Sequence, residues 1–537
     1  MNEQKSPLQK LRERYQPPLP QILQNLSQLQ LEMGEPTTCV SDKEEIQSLF
    51  PKSFGRTLAR AAKGASRQSK PLKVGVVLSG GQAAGGHNVI AGIFDGLHSL
   101  TKDASLIGFL GGPSGIVENK ALEITKEVLA PYRNQGGFDL IGSGRTKIET
   151  EEQLAASLDT ANQRKLDGLV VIGGDDSNTN AAVLAEYFMQ KGCSTTVIGV
   201  PKTIDGDLKT EHIATSFGFD TAAKVYSEMI GNIARDALSA KKYTHFIKLM
   251  GRSASHITLE CALATHPNLA LIGEEVASLR LTLSDITKQV ADLIETRAKS
   301  GKNYGVILVP EGLIEFIPEM KLLINELNHL AEEKEEWSFH ELKPRLTPEA
   351  SHCFGALPLE IQKQLLLDRD PHGNVQVSMI ETEKLLMATV KEELKRRNFS
   401  GKFAAQNHFF GYEGRAGFPS NFDTHYCYAL GQTAALLIDE RLSGYIAFVD
   451  NLSSSVEDWG VGGAPITSLL NIEVRKGKNK PVIQKALVDL EGKAFAFFAK
   501  NRAKWAKEDQ YRFPGPIQFF GDRDVTDAIS NTLSLKS

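Results

Sequence analysis

Apolar positions in this chain gather into short continuous runs, each ending on a cluster of Gly and charged residues. The plainest case lies between 169 and 208, where LVVIGGDDSNTNAAVLAEYF is followed by TTVIGVPKTIDGDL. The runs 169–172 and 195–200 are β-branched, and the Ala-rich stretch between them has helical spacing. This pattern predicts strand, loop, helix, strand, loop.

The same rhythm recurs along the chain. KVGVVLS from Lys73 predicts a buried strand, followed by the Gly/Ala loop SGGQAAGGHN and the helix NVIAGIFDGLHSL. SLIGFLGGPSGI at 105–116 predicts a second strand and Gly turn, and a helix follows at about 150–163. SFGFDTAAKVYSEMIGNIARDA predicts a long helix with one apolar face. YTHFIKLMGRSASHITLECALA, YGVILVPEG at 304–312 and GKFAAQNHFFGYEGR at 401–415 again run from a strand into a charged loop. FDTHYCYALGQTAALLI and GYIAFVD add a last helix and strand. Strands alternating with helices predict an α/β fold with parallel sheets.

Three regions depart from the rhythm. Residues 1–70 carry PPLP at 17–20 and a helical spacing of Ile22, Leu23, Leu26, Leu29 and Leu31, then a basic stretch of Arg56, Arg60, Lys63, Arg67 and Lys70 that fits a solvated linker or helix face. The extension as a whole is expected to serve packing or subunit contact. Residues 314–397 are charged and helical, as in EMKLLINELNHLAEEKEEW, and their His340, His352 and His372 lack metal-ligand spacing. Beyond about 475, including PGPIQFFG at 514–521, no motif converts into chemistry.

Length and composition narrow the class. A chain of 537 residues suggests about three units. With 41% hydrophobic and 23% charged residues it is of ordinary globular type. A net charge of −4 gives no electrostatic case for nucleic-acid binding. The five cysteines are scattered, with no CxxC, which fits neither a disulfide framework nor a zinc site. Neither a secretion signal nor an apolar run of membrane-spanning length is visible, so the expected location is cytoplasmic.

Ligands of open parallel sheets bind outside the carboxyl ends of the strands. Asp175, Asp176, Lys202, Thr203, Asp205 and Asp207 would therefore gather at one edge. Carboxylates and a lysine beside Gly-rich backbone suit a polyphosphate and its metal ion. A turn with Asp176 or Ser177 as helix cap explains one such loop equally well. Two acidic loops on adjacent strands favour chemistry.

GGDDS at 173–177 together with PKTIDGDL at 201–208 resembles the phosphofructokinase family, and within it the long-form, pyrophosphate-dependent branch. The resemblance runs from about residue 70 to near 470, broken by an insertion. The implied fold is α/β, with two Rossmann-like, phosphofructokinase-type domains whose parallel-rich sheets are flanked by helices, plus a helical N-terminal extension and a helical insertion. The expected boundaries are an extension at 1–70, a donor-binding domain at about 71–240 with the chain crossing between domains, a substrate-binding domain at 241–313 and 398–475, an insertion at 314–397 and a C-terminal segment at 476–537.

The resemblance also implies roles. Gly81 would contact pyrophosphate, and Asp175 would hold Mg²⁺. Asp205 would accept the proton of the 1-hydroxyl of fructose 6-phosphate, with Thr203 and Asp207 in support, and Thr203, Ile204 and Asp205 would together contact the sugar substrate. Aspartate is intrinsically a weak base, so proton loss would come late, as bonding to phosphorus acidifies the hydroxyl. Met250, Gly251 and Arg252, together with Tyr412, Glu413, Gly414 and Arg415, match substrate segments, and Glu311 matches a sugar-hydroxyl contact. Tyr412 stands where bacterial ATP-using relatives usually have His. Lys242 and Tyr243 match a segment reaching a neighbouring subunit's sugar phosphate, which implies a homodimer or higher homo-oligomer.

ATP-using relatives carry Gly at the positions of Asp176 and Lys202. A carboxylate at the first would repel an α-phosphate, at about 4 kcal/mol for like charges 4 Å apart in an effective dielectric of 20. Lys202 would stabilise the departing phosphate. The expected activity is reversible phosphoryl transfer from pyrophosphate to fructose 6-phosphate. The rivals are an ATP-dependent 6-phosphofructokinase, a more distant NAD or lipid kinase, and a non-catalytic regulatory subunit, which would be expected to lose the acidic loop that is intact here.

Overall fold

The computed structural model describes residues 5–66, 68–333, 337, 339–367, 375–475, 478–517, 527 and 529–535. His372 and the last four residues of PGPIQFFG lie outside the described residues.

Strands β1 (Leu29–Pro36), β2 (Thr57–Lys63), β3 (Lys73–Leu78), β4 (Ser105–Phe109), β5 (Ala121–Ile124), β6 (Gly168–Gly173) and β7 (Thr196–Pro201) come first. They are followed by β8 (Thr244–Leu249), β9 (Leu269–Ala270), β10 (Gly305–Pro310) and β11 (Ala405–Phe410). After them come β12 (Tyr445–Asp450), β13 (Gly460–Pro465) and the hairpin β14 (Leu470–Arg475) with β15 (Lys478–Ile483). A nine-stranded sheet has the order β1-β2-β13-β12-β7-β6-β3-β4-β5, and a four-stranded sheet the order β11-β8-β10-β9.

The centre of the large sheet, from β12 to β4, is parallel, and both its edges turn antiparallel. Each residue of β6, β7, β8 and β10 is buried. Strands covered by helices on both faces read as continuous apolar runs, which is why the sequence pattern showed no alternation. The four-stranded sheet is parallel throughout.

The chain crosses between the sheets within 398–475, expected in the sugar-binding half: β11 pairs with β8 in the four-stranded sheet, whereas β12 pairs with β7 and β13 with β2 in the large one. The buried helix Asn421–Asp439 returns the chain there by packing against the helix Gly86–Leu100. Their crossing is so close that a Cβ on Gly92 would meet the Tyr428 carbonyl at 2.2 Å and one on Gly431 the Val89 carbonyl at 2.2 Å. Two glycines make that approach possible.

The N-terminal extension is also less helical than its spacing suggested. Leu23 and Leu26 are buried in a 3₁₀ helix, Gln21–Gln28, after which the chain becomes strand at Leu29. An i, i+3 pair eclipses on one face of a 3₁₀ helix, so the same leucines satisfy the shorter period. The first part of the basic stretch is a strand and not a linker, although Arg60, Lys63 and Lys70 are exposed; Arg67 lies outside the described residues. Arg60 lies on β2, pairs with Asp450 and stacks on the Phe448 ring. The Arg56 guanidinium donates to the Ser443 carbonyl at 2.7 Å.

The helices of 314–397 pack on the four-stranded sheet, sharing one apolar cluster with Phe246, Ile307 and Val309 through Leu323, Leu327, Leu385 and Leu386. Lys248 on β8 donates to the Ile380 carbonyl at 3.0 Å and lies 3.6 Å from the buried Glu383.

Candidate active site

Three loops leave the carboxyl ends of β3, β6 and β7 side by side. In the first, Gly80 has φ +85, a backbone that side-chain-bearing residues rarely adopt. This conformation brings the loop over the Lys202 ammonium, whose Nζ donates to the Gly81 carbonyl at 2.6 Å. A Cβ on Gly81 would lie 3.2 Å from Arg415 Nη2 and 3.9 Å from Arg145 Nη2. Three cations therefore meet at one glycine.

The second loop opens the helix Asp175–Gln190. Its N-cap is Gly174, without a side-chain capping bond, so neither Asp176 nor Ser177 serves as the cap. Ser177 instead donates to Ser79 Oγ at 2.8 Å, tying this loop to the first. Asp175 and Asp176 occupy the first helical turn, where the helix dipole favours negative charge. Asp175 Oδ2 lies 3.7 Å from Lys485 Nζ. Asp176 is half-exposed and pairs with Lys147 at 3.2 Å.

The third loop carries Lys202, Thr203, Ile204, Asp205 and Asp207. Thr203 Oγ1 accepts from the Asp205 backbone N–H at 3.1 Å, shaping the turn. Ile204 is 6% exposed and its side chain packs in the apolar core beneath this loop. Burial pushes the Asp207 carboxyl up to about 7, with repulsion from Asp205 and Asp175 in the same direction and Lys485 opposing. Burial likewise lowers Lys202 to about 8, against the pull of Asp205 and Asp175. A buried ammonium with lowered pKa is poised to be stabilised by an arriving anion.

The four-stranded sheet supplies the other wall. Glu311 follows β10, and its Oε2 accepts from the Gly251 N–H at 2.9 Å. Burial pushes Glu311 up to about 7, only partly offset by that hydrogen bond. After β11, the Glu413 carboxylate accepts from the Gly411 N–H at 2.9 Å, and Tyr226 donates to the Gly411 carbonyl at 2.5 Å. Gly411 also lies against Met250. Arg415, 5.0 Å from the centre of the exposed Tyr412 ring, bonds Gln82 of the first loop. Both sheets thus turn their carboxyl edges to one site.

Lys242 and Tyr243 do not join it. They precede β8, whereas Met250, Gly251 and Arg252 follow it, and six strand residues separate the ends by about 20 Å. Both are exposed. Conversely, the structure adds Gln82, Arg145, Lys147, Ser253 and Lys485, which sequence reasoning missed. Arg145 follows Gly-Ser-Gly at 142–144, a loop of the same kind as the others and therefore findable. Lys485 had no such signal, because it sits in the C-terminal segment where no motif was found. Among the described residues no cluster of three or more His, Cys, Asp or Glu side chains has the geometry of a metal site.

A family model described as Phosphofructokinase matches residues 73–438. The chain belongs to the phosphofructokinase family. It is 54% identical to the pyrophosphate–fructose 6-phosphate 1-phosphotransferase of Treponema pallidum, over 98% of this chain and 96% of that one. It is 51% identical to the protein of the same name from Porphyromonas gingivalis, over 99% of each. The β subunit of that name from Solanum tuberosum is 53% identical, over 97% of this chain and 92% of its own. Among solved structures, the pyrophosphate-dependent phosphofructokinase of Nitrosospira multiformis superposes with a TM-score of 0.54 at 16% identity, covering 83% of this chain and 94% of that one. This last likeness speaks for the fold, which is α/β as expected.

Proposed function

We propose that this phosphofructokinase transfers a phosphoryl group from pyrophosphate to the 1-hydroxyl of fructose 6-phosphate, reversibly, giving fructose 1,6-bisphosphate and phosphate. The observation that carries this reading is the Lys202 ammonium held against the Gly81 carbonyl, in a chain 51–54% identical to proteins named for that reaction. A compact cation beneath the donor loop suits a small, highly charged donor.

In this reading Gly81 and Lys202 bind pyrophosphate, and Lys202 neutralises the phosphate that departs. Phosphoryl transfer has a loose transition state, so positioning and charge neutralisation supply most of the rate. Arg252, Arg415, Met250, Gly251, Glu413 and Gly414 hold the sugar phosphate. Arg415 also reaches Gln82, so one side chain spans sugar and donor walls. Glu311 meets a sugar hydroxyl. Asp205 takes the proton of the 1-hydroxyl as the bond to phosphorus forms.

Asp175 is the residue to hold Mg²⁺. The donor set fits: Mg²⁺ favours one or two carboxylates with phosphate oxygens and water over an all-protein cage. When bound, the ion neutralises charge on the donor phosphates. Lys242 and Tyr243, exposed and about a strand length from their own chain's site, would complete a neighbouring subunit's site in a homodimer or larger assembly. A cytoplasmic location is supported by the five unpaired cysteines. No helix among the described residues is long and apolar enough to cross a membrane.

The test is phosphate release by the purified chain alone, with fructose 6-phosphate and Mg²⁺, comparing pyrophosphate with ATP. Faster turnover with ATP would overturn the donor assignment. Activity that appears only on adding a partner chain would revive a regulatory role.

A further inference from the structure

The segment 483–488 lies beyond the residues matched by the family model, yet it is bonded to both walls of the site. On the donor side, the Ile483 N–H donates to Thr179 Oγ1, on the Asp175–Gln190 helix, at 3.2 Å. At the loop carrying Asp205, the Ala486 N–H donates to the Asp207 carbonyl at 2.7 Å. On the sugar side, His256 Nε2 meets the Ala486 carbonyl at 2.8 Å, and the Val488 N–H donates to Glu274 Oε1 at 3.0 Å. The segment is a strap across the cleft.

Lys485 stands at its centre. Its Nζ donates to Ser253 Oγ at 2.7 Å, beside Arg252, and lies 3.7 Å from Asp175 Oδ2. Asp175, Asp205 and Asp207 converge here, and like charges at such spacing repel unless a cation stands among them. Lys202 answers that need from the Gly81 side and Lys485 from the Ser253 side.

We propose that Lys485 is a positioning residue for phosphoryl transfer: its ammonium fixes the Asp175 carboxylate and, through Ser253, couples the donor wall to the Arg252 segment. The lysine acts through Asp175 and Ser253. The proposal rests on the functional reading above, since Asp175 matters to turnover only if the donor phosphates arrive beside it.

The experiment compares Lys485→Met and Lys485→Arg with the unaltered enzyme. For Lys485→Met, kcat with pyrophosphate should fall about tenfold or more while KM for fructose 6-phosphate stays within about twofold. Calorimetric titration of pyrophosphate with Mg²⁺, without sugar and therefore without turnover, should show weakening of about fivefold or more. Lys485→Arg keeps the charge and should recover most of both. If Lys485→Met does not fold, Ser253→Ala serves, because it removes the hydroxyl that orients the ammonium; kcat should fall about threefold or more. Unchanged kcat and pyrophosphate binding in Lys485→Met, or unchanged kcat in Ser253→Ala, would overturn the inference. An unaltered enzyme that ignores pyrophosphate would instead overturn the functional reading.

Discussion

Lys202 and Gly81, 121 positions apart in sequence, are joined by a hydrogen bond of 2.6 Å that places a buried ammonium directly under the donor loop. Burial lowers the pKa of this lysine to about 8, which leaves it an ammonium near neutral pH but a poorly solvated one, so an anion arriving at the loop offsets the cost of its burial. Lys202→Met should cut kcat/KM for pyrophosphate by about two orders of magnitude, near 3 kcal/mol, with KM for fructose 6-phosphate little altered. Steady-state kinetics with each substrate varied in turn checks this. A rise confined to the sugar's KM would remove Lys202 from the donor side.

Donor choice should depend on Asp176 and Lys202 together. Asp176 is half-exposed and paired with Lys147. Its repulsion of a third phosphate is therefore well below the full like-charge figure of about 4 kcal/mol, since a paired, hydrated carboxylate presents a screened charge. Asp176→Gly alone should change ATP use only slightly. Combined with Lys202→Gly, it should weaken pyrophosphate use and admit ATP, as read by coupled assays with either donor. An unchanged preference in the double variant would place selectivity elsewhere.

The parts of this site that could be read from sequence are those where a buried strand meets a loop of Gly and charged residues. Asp175, Lys202, Asp205, Arg252, Glu311 and Arg415 all stand at such junctions, and parallel sheets bring the junctions together by construction. Lys485 escaped because it follows a separate two-stranded hairpin, not a strand of either parallel sheet, and tertiary hydrogen bonds and the packing of Ile483 bring it to Asp175. Sheet membership escaped for a similar reason. β12 has the apolar character of a central strand in either sheet, and its place beside β7 goes with the glycine-lined crossing of two helices distant in sequence. In the N-terminal extension, Leu23 and Leu26 fit α and 3₁₀ periods alike, so spacing could not foretell the strand that begins at Leu29.

Glu311 should leave a signature in the pH dependence of stability. Its folded pKa is raised from 4.5 to about 7, chiefly by burial. Between those values the folded chain keeps a proton that the unfolded chain has released, so stability falls as pH rises through this window. Below about pH 4.5 the penalty is absent, and above about 7 it is complete, at about 3 kcal/mol. Glu311→Gln keeps an acceptor for the Gly251 N–H and cannot titrate. Its melting temperature should therefore gain on that of the unaltered protein as pH rises from about 4.5 to 7.5. A gap that stays constant or shrinks would contradict a buried, proton-holding Glu311.

Asp205 should separate binding from chemistry. It lies on the loop whose turn is closed by the Thr203 hydroxyl and whose next residues are tied to the strap at Asp207. Those bonds use the Asp205 backbone and the Asp207 carbonyl, so shortening the Asp205 side chain leaves the loop's framework in place. A group that only takes a proton as the phosphoryl bond forms contributes to the transition state and little to ground-state binding. Asp205→Ala should accordingly lower kcat by about two to four orders of magnitude, while calorimetric affinities for pyrophosphate and fructose 6-phosphate change by less than about threefold. A large loss of sugar affinity with kcat retained would make Asp205 a binding residue and leave the proton without its acceptor.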